Sequence, residues 1–136
     1  MKKGQNIVLE QMFVFTIGLI IFIMIYFSFA KINENVETVT KEDQIHGVGE
    51  YIQSCIVRSY LAEGNNTIIY EIPKSIAGHD YKAYFENNIL KLKFDGNIYN
   101  FSLPENYQIS GSFSSQIGKI KIEKINDQIT VNRYEY

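Results

Sequence analysis

Polarity along the chain falls into three regimes. In residues 12–30, MFVFTIGLIIFIMIYFSFA, there is no charged side chain, and only Thr16, Gly18 and Ser28 interrupt the large apolar ones. As a helix these 19 residues span about 28 Å at roughly 1.5 Å per residue, which matches the hydrocarbon thickness of a bilayer. Such a helix is apolar all round and has no solvent face. It belongs in lipid or in the core of an assembly of identical helices.

From residue 31 the pattern becomes that of an amphipathic helix. Ile32, Val36 and Val39 are spaced four and three apart on one face, Lys41, Glu42 and Asp43 interrupt the stripe, and Ile45, Val48, Ile52, Cys55 and Ile56 resume it. Gly47 and Gly49 each weaken a helix by about 1 kcal/mol against Ala, so the spacing predicts a bend or break within 40–50. Gly64 reads as a helix C-cap, and Asn65-Asn66 opens a loop. The simplest role for the stripe is to pack on whatever follows, with a partner-helix surface as the alternative, above all for residues 31–40.

After residue 66 the period changes to two. Strands are expected at 67–72, 81–86, 89–94 and 98–103, with a short one at 107–110. Further strands are expected around Ile120 and Ile122 and at 129–133. Asn87-Asn88, Asp95-Gly96 and Asn126-Asp127 separate neighbouring runs. Asp95-Gly96 reads as a type I′ turn, so Gly96→Val is expected to harm folding more than Gly111→Val. Residues 111–118 read as a small-residue loop or irregular edge. The fold class is therefore α+β. A leader (1–5) and a transmembrane helix (6–30) precede a stalk helix (31–63), and a largely antiparallel sheet domain (67–136) follows. One face of the sheet would meet the stalk, the other solvent or a second small sheet.

The chain has 136 residues, enough for one modest domain beside the apolar helix. Removing Lys2, Lys3 and Glu10 from the totals of 13 basic and 15 acidic residues leaves 11 and 14 after Ala30. That mildly acidic remainder argues against a nucleic-acid partner. Cys55 is the only cysteine, so no internal disulfide forms, and its place on the stripe marks it as a small buried apolar residue. His46 and His79 are the only histidines, and nothing in the spacing supplies three or four converging metal ligands. There is no phosphate-cradling glycine loop and no nucleophile elbow. The sequence points away from an enzyme, a cofactor or a metal. Asn65-Asn66-Thr67 and Asn100-Phe101-Ser102 match the glycosylation sequon, and Asn65, in a predicted loop, is the better candidate of the two.

Orientation follows from charge. Lys2, Lys3 and the α-amino group precede the apolar helix, whereas residues 31–50 hold two Lys against five Asp or Glu. The positive-inside rule then places the N-terminus in the cytoplasm and the sheet outside. The apolar run is longer than a secretory h-region and ends without a small-x-small site, as a signal anchor does. Ahead of it stand Lys2-Lys3-Gly4-Gln5 and then a lone Glu10. This start resembles the class III signal peptide of archaeal type IV pilin-like proteins. The resemblance covers roughly residues 2–30, with a weaker likeness to outer domains of that family over residues 72–111. It implies a prepilin-type peptidase cutting between Gly4 and Gln5, a helix kept on the mature protein, and self or other pilin-like subunits as partners. In such a chain Glu10 would pair with a neighbour's N-terminal amine. Glu10 is the sixth residue after that cut, where the family places its Glu fifth. The residues alone allow a plainer role, a carboxylate favoured by the helix dipole in the first turns at the membrane edge. Three functions are open at this stage: filament subunit or accessory, uncleaved anchored binding module, and, least favoured, a tethered enzyme.

Overall fold

The computed structural model describes residues 2–135. One long helix, α1 (Lys2–Leu61), precedes a seven-stranded, mostly antiparallel sheet. The chain forms two compact units, Met1–Thr40 and Lys41–Tyr136, with the division inside α1. The described residues of the first unit are all helix. The second contains the last turns of α1 and the whole sheet.

The strands are β1 (Asn66–Glu71), β2 (Lys82–Glu86), β3 (Ile89–Phe94), β4 (Asn97–Ser102), β5 (Gln108–Ser114), β6 (Lys119–Ile125) and β7 (Gln128–Arg133). Their order across the sheet is β1-β6-β7-β5-β2-β3-β4. Three hairpins share one turn chemistry. Asn87-Asn88 (φ 51°, 59°), Asp95-Gly96 (φ 47°, 80°) and Asn126-Asp127 (φ 49°, 65°) all take positive φ at both central residues. A type I′ turn requires this, and Asn, Asp and Gly tolerate it best. Each turn fixes a register: Glu86↔Ile89, Phe94↔Asn97 and Ile125↔Gln128. Among the described residues, β5 and β7 form the one parallel pair.

The core lies between one sheet face and α1. Ile45, Val48, Ile52, Cys55 and Ile56 are buried in one cluster with Leu90, Leu92, Ile120, Ile122, Ile129 and Val131. The opposite sheet face carries Ser110, Ser112, Thr130 and Asn132 at its middle, and no second sheet is present among the described residues. Ile32, Val36 and Val39 are exposed, so the packing stripe starts at Ile45 and not at Ile32.

Three further expectations are corrected. The helix is unbroken across residues 40–50. Val48 is buried, and Gly49 lies so close to the Phe101 ring that a Cβ there would come within 2.1 Å of it. Tertiary packing of this kind outweighs the propensity penalty of about 1 kcal/mol per glycine. Residues 111–114 are not loop but the second half of β5, which pairs with β7 as far as Ser112 and with β2 from Ser112 to Ser114. The alternation was hidden because the outward positions are serines and the inward one is Gly111. Gly111 has φ 122°, and a Cβ on it would stand 2.0 Å from the Val131 carbonyl oxygen. Gly96 has open space where its Cβ would be. The expected order of sensitivity at the two glycines is thus reversed.

Candidate functional site

The feature that most needs a partner is the surface of α1 in the first unit. Its large apolar side chains between Ile7 and Ile32 are 43–72 % exposed, on every side of the helix. Its Thr16 and Ser28 hydroxyls are satisfied internally. Thr16 Oγ1 donates to the Met12 carbonyl at 2.8 Å and Ser28 Oγ to the Met24 carbonyl at 2.9 Å. Both short hydroxyls thus return to the helix backbone, as suits a lipid environment. By length and composition it is able to cross a membrane. Exposed apolar surface on this scale marks an interaction site.

Gly4 and Glu10 both lie on exposed helix in this unit, about 9 Å apart along the axis at 1.5 Å per residue. The side chain of Gln5 lies outside the described residues. Asn65 and Asn100 belong to the second unit. Asn65 follows α1 and is exposed, and its Oδ1 accepts the Asn126 backbone N–H at 3.0 Å. Asn100 is exposed on β4, at the edge of the sheet. His46 and His79 are both exposed, each with its ring against a phenylalanine: Phe101 at 5.8 Å and Phe94 at 6.4 Å. Among the described residues no three His, Cys, Asp or Glu side chains gather as a metal site would require. Cys55 is buried, and burial pushes its thiol up, away from the reactive thiolate.

Sequence reasoning missed one polar cluster, at the end of α1. Lys124 is buried, and its Nζ donates to the carbonyls of Tyr60 at 2.6 Å and Ala62 at 3.0 Å. The last carbonyls of a helix lack partners in the helix itself and carry its negative dipole end, so a buried ammonium fits there. Tyr60 stacks on Tyr107 with ring centroids 3.8 Å apart, and the Lys124 amine lies 5.0 Å over the Tyr60 ring. The signal was present: Lys124 shares strand parity with Ile120 and Ile122, which face the core.

A long N-terminal apolar helix followed by a sheet domain is compatible with a pilin-like layout. No family model, curated protein or solved structure matches the chain.

Proposed function

We propose that the chain is a membrane-anchored, pilin-like surface protein, a major, minor or accessory component of an archaeal type IV pilus-like filament. The observation that carries this reading is the helix surface between Ile7 and Ile32, apolar and exposed all round, beside a unit with its own core. In this reading the helix sits in lipid before assembly and in a filament core afterwards. The N-terminus is cytoplasmic and the sheet unit is extracellular. A prepilin-type peptidase cuts between Gly4 and Gln5. Glu10 is then carried into a water-poor core, where an unpaired charge costs several kcal/mol and must meet a cation. A neighbour's newly freed α-amino group supplies one, since Lys2 and Lys3 leave with the leader. The reading includes no catalytic step, metal or cofactor.

One observation favours a second reading, an uncleaved single-pass anchor that presents the sheet unit to a filament or envelope component. Gly4 lies inside α1, so cleavage requires the first helical turn to open. Fraying at a terminus costs little free energy, and the first reading survives on that ground.

N-terminal sequencing of the native membrane protein separates the two. A mature chain starting at Gln5 is expected, and a start at Met1 decides for the uncleaved anchor. Glu10→Gln is expected to leave the membrane fraction unchanged and to lower high-molecular-weight assemblies by about tenfold or more, as loss of a buried charge pair should. Unchanged assembly would remove the filament role. Protease added to intact cells should reach residues beyond Lys31 and spare the N-terminus, and full protection of the chain would reverse the orientation.

A further inference from the structure

On the outer face of the sheet, three lysines are matched with carboxylates and two are not. Lys91 pairs with Glu86, Lys119 with Glu71 at 3.8 Å, and Lys121 with Glu123 at 2.8 Å. Lys82 and Lys93 stand directly opposite one another on β2 and β3, both exposed. Among the described residues neither has an ion-pair partner. Like charges placed directly opposite are destabilising, and this pair calls for an anionic surface from outside. The next position in the same row is Ile98, opposite Lys93 on the edge strand β4 and 51 % exposed. The patch is an apolar knob beside two uncompensated ammonium groups.

A complementary surface lies on the same unit. Gln44, Gly47, Val48, Tyr51, Pro73, Ser75 and Ile76 line an open, mostly apolar socket of about 290 Å³. Its floor is open because Gly47 has no side chain, and a Cβ there would meet nothing within 4 Å. On the helix surface the neighbours of Gly47 at i−4 and i+3 are Asp43 and Glu50, both exposed. Both carboxylates thus stand on one side of the hole, each about a turn from Gly47 along the helix. Knob and socket lie at the same end of the unit. The His79 ring meets that of Phe94, at the end of β3, while the His79 backbone pairs with Ile76 in the socket wall. Within one chain they do not meet, because Ile98 is on the sheet face opposite the one that packs on α1.

We propose that Ile98, Lys82 and Lys93 of one copy dock on the Gly47 socket, Asp43 and Glu50 of a second copy of this chain. The contact is heterologous. Each copy offers its knob to one neighbour and its socket to another, so the contact propagates instead of closing in a pair. It rests on the anchored reading in one respect: anchors in one membrane confine the copies to one surface, which favours their encounter.

The test is disulfide trapping in the full-length chain, in native membranes, with Gly47→Cys and Ile98→Cys separately and together. Cys55 is buried and gives little background. The double variant is expected to form a ladder of cross-linked multimers, while each single variant stays monomeric. Lys93→Glu in the double variant should cut the ladder by about tenfold or more, and Asp43→Lys added to it should restore the ladder, as complementary charges across an interface do. Dimers from Ile98→Cys alone would replace this contact with a symmetric one and overturn the proposal. A membrane-bound double variant with no ladder would overturn the docking and leave the anchor standing. A ladder formed by chains found in the soluble fraction would uphold the docking and remove the anchor.

Discussion

Gly111 and Tyr81 show how single positions hold the sheet unit together. Any side chain at Gly111 meets the Val131 carbonyl at 2.0 Å in a backbone conformation, φ 122°, that L-residues avoid. Gly111→Ala is therefore expected to destabilise the unit by roughly 3 kcal/mol or more, against about 1 kcal/mol for Gly96→Ala, where only the dihedral is strained. Thermal melts followed by circular dichroism would rank the two. Tyr81 is buried, and its hydroxyl donates to the Pro73 carbonyl at 2.7 Å. Burial pushes its phenol up, so the folded chain keeps this proton at a pH where the unfolded chain has released it. The stability it contributes is whole below the unfolded value of about 10 and is lost as pH rises above it. Tyr81→Phe should flatten the alkaline fall in the urea midpoint, and a slope equal to wild type would reassign that fall to other groups. Lys124→Met removes two bonds from an ammonium to the end of α1 and should cost about 1.5–3 kcal/mol, read as a lower urea midpoint. None of these three roles was legible by residue type alone. Gly111 reads as loop, and the roles of Tyr81 and Lys124 were not read at all, because each depends on a contact distant in sequence.

Opposite outcomes at two neighbouring glycines separate helix propensity from packing. Gly47 has open space about it, so Gly47→Ala should stabilise the helix by about 0.5–1 kcal/mol. Gly49 lies on the Phe101 ring, so Gly49→Ala should destabilise the unit despite the same gain in propensity. Equal melting shifts would mean that Phe101 moves aside freely. Elements were legible where local chemistry decides them. The alternation of Leu90, Leu92 and Phe94 with lysines gave β3, and the turn at Asp95-Gly96 gave the register that sets Ile98 opposite Lys93. The break expected at residues 40–50 failed because helix propensity there is outvoted by burial of Val48. β5 was half lost because its outward residues are serines, and a strand enclosed on both sides by other strands needs no large apolar side chain on its solvent face.

For the whole molecule, the boundary between a membrane-capable helix and a unit with its own core was plain in the polarity of the chain. The partner of either part was not, since recognition depends on surfaces assembled from residues far apart. The strand order carries a consequence for how the molecule comes into being. β7 is made last of the seven strands, yet it sits inside the sheet, between β6 and β5. Until it arrives, the nascent chain holds two separate fragments, β1 with β6 and β5 with β2, β3 and β4, each with a bare edge toward the gap. Folding as residues emerge one by one therefore stops short of a closed sheet, and a chain that stalls before residue 128 presents two sticky edges to its neighbours. The sheet closes with the insertion of a keystone.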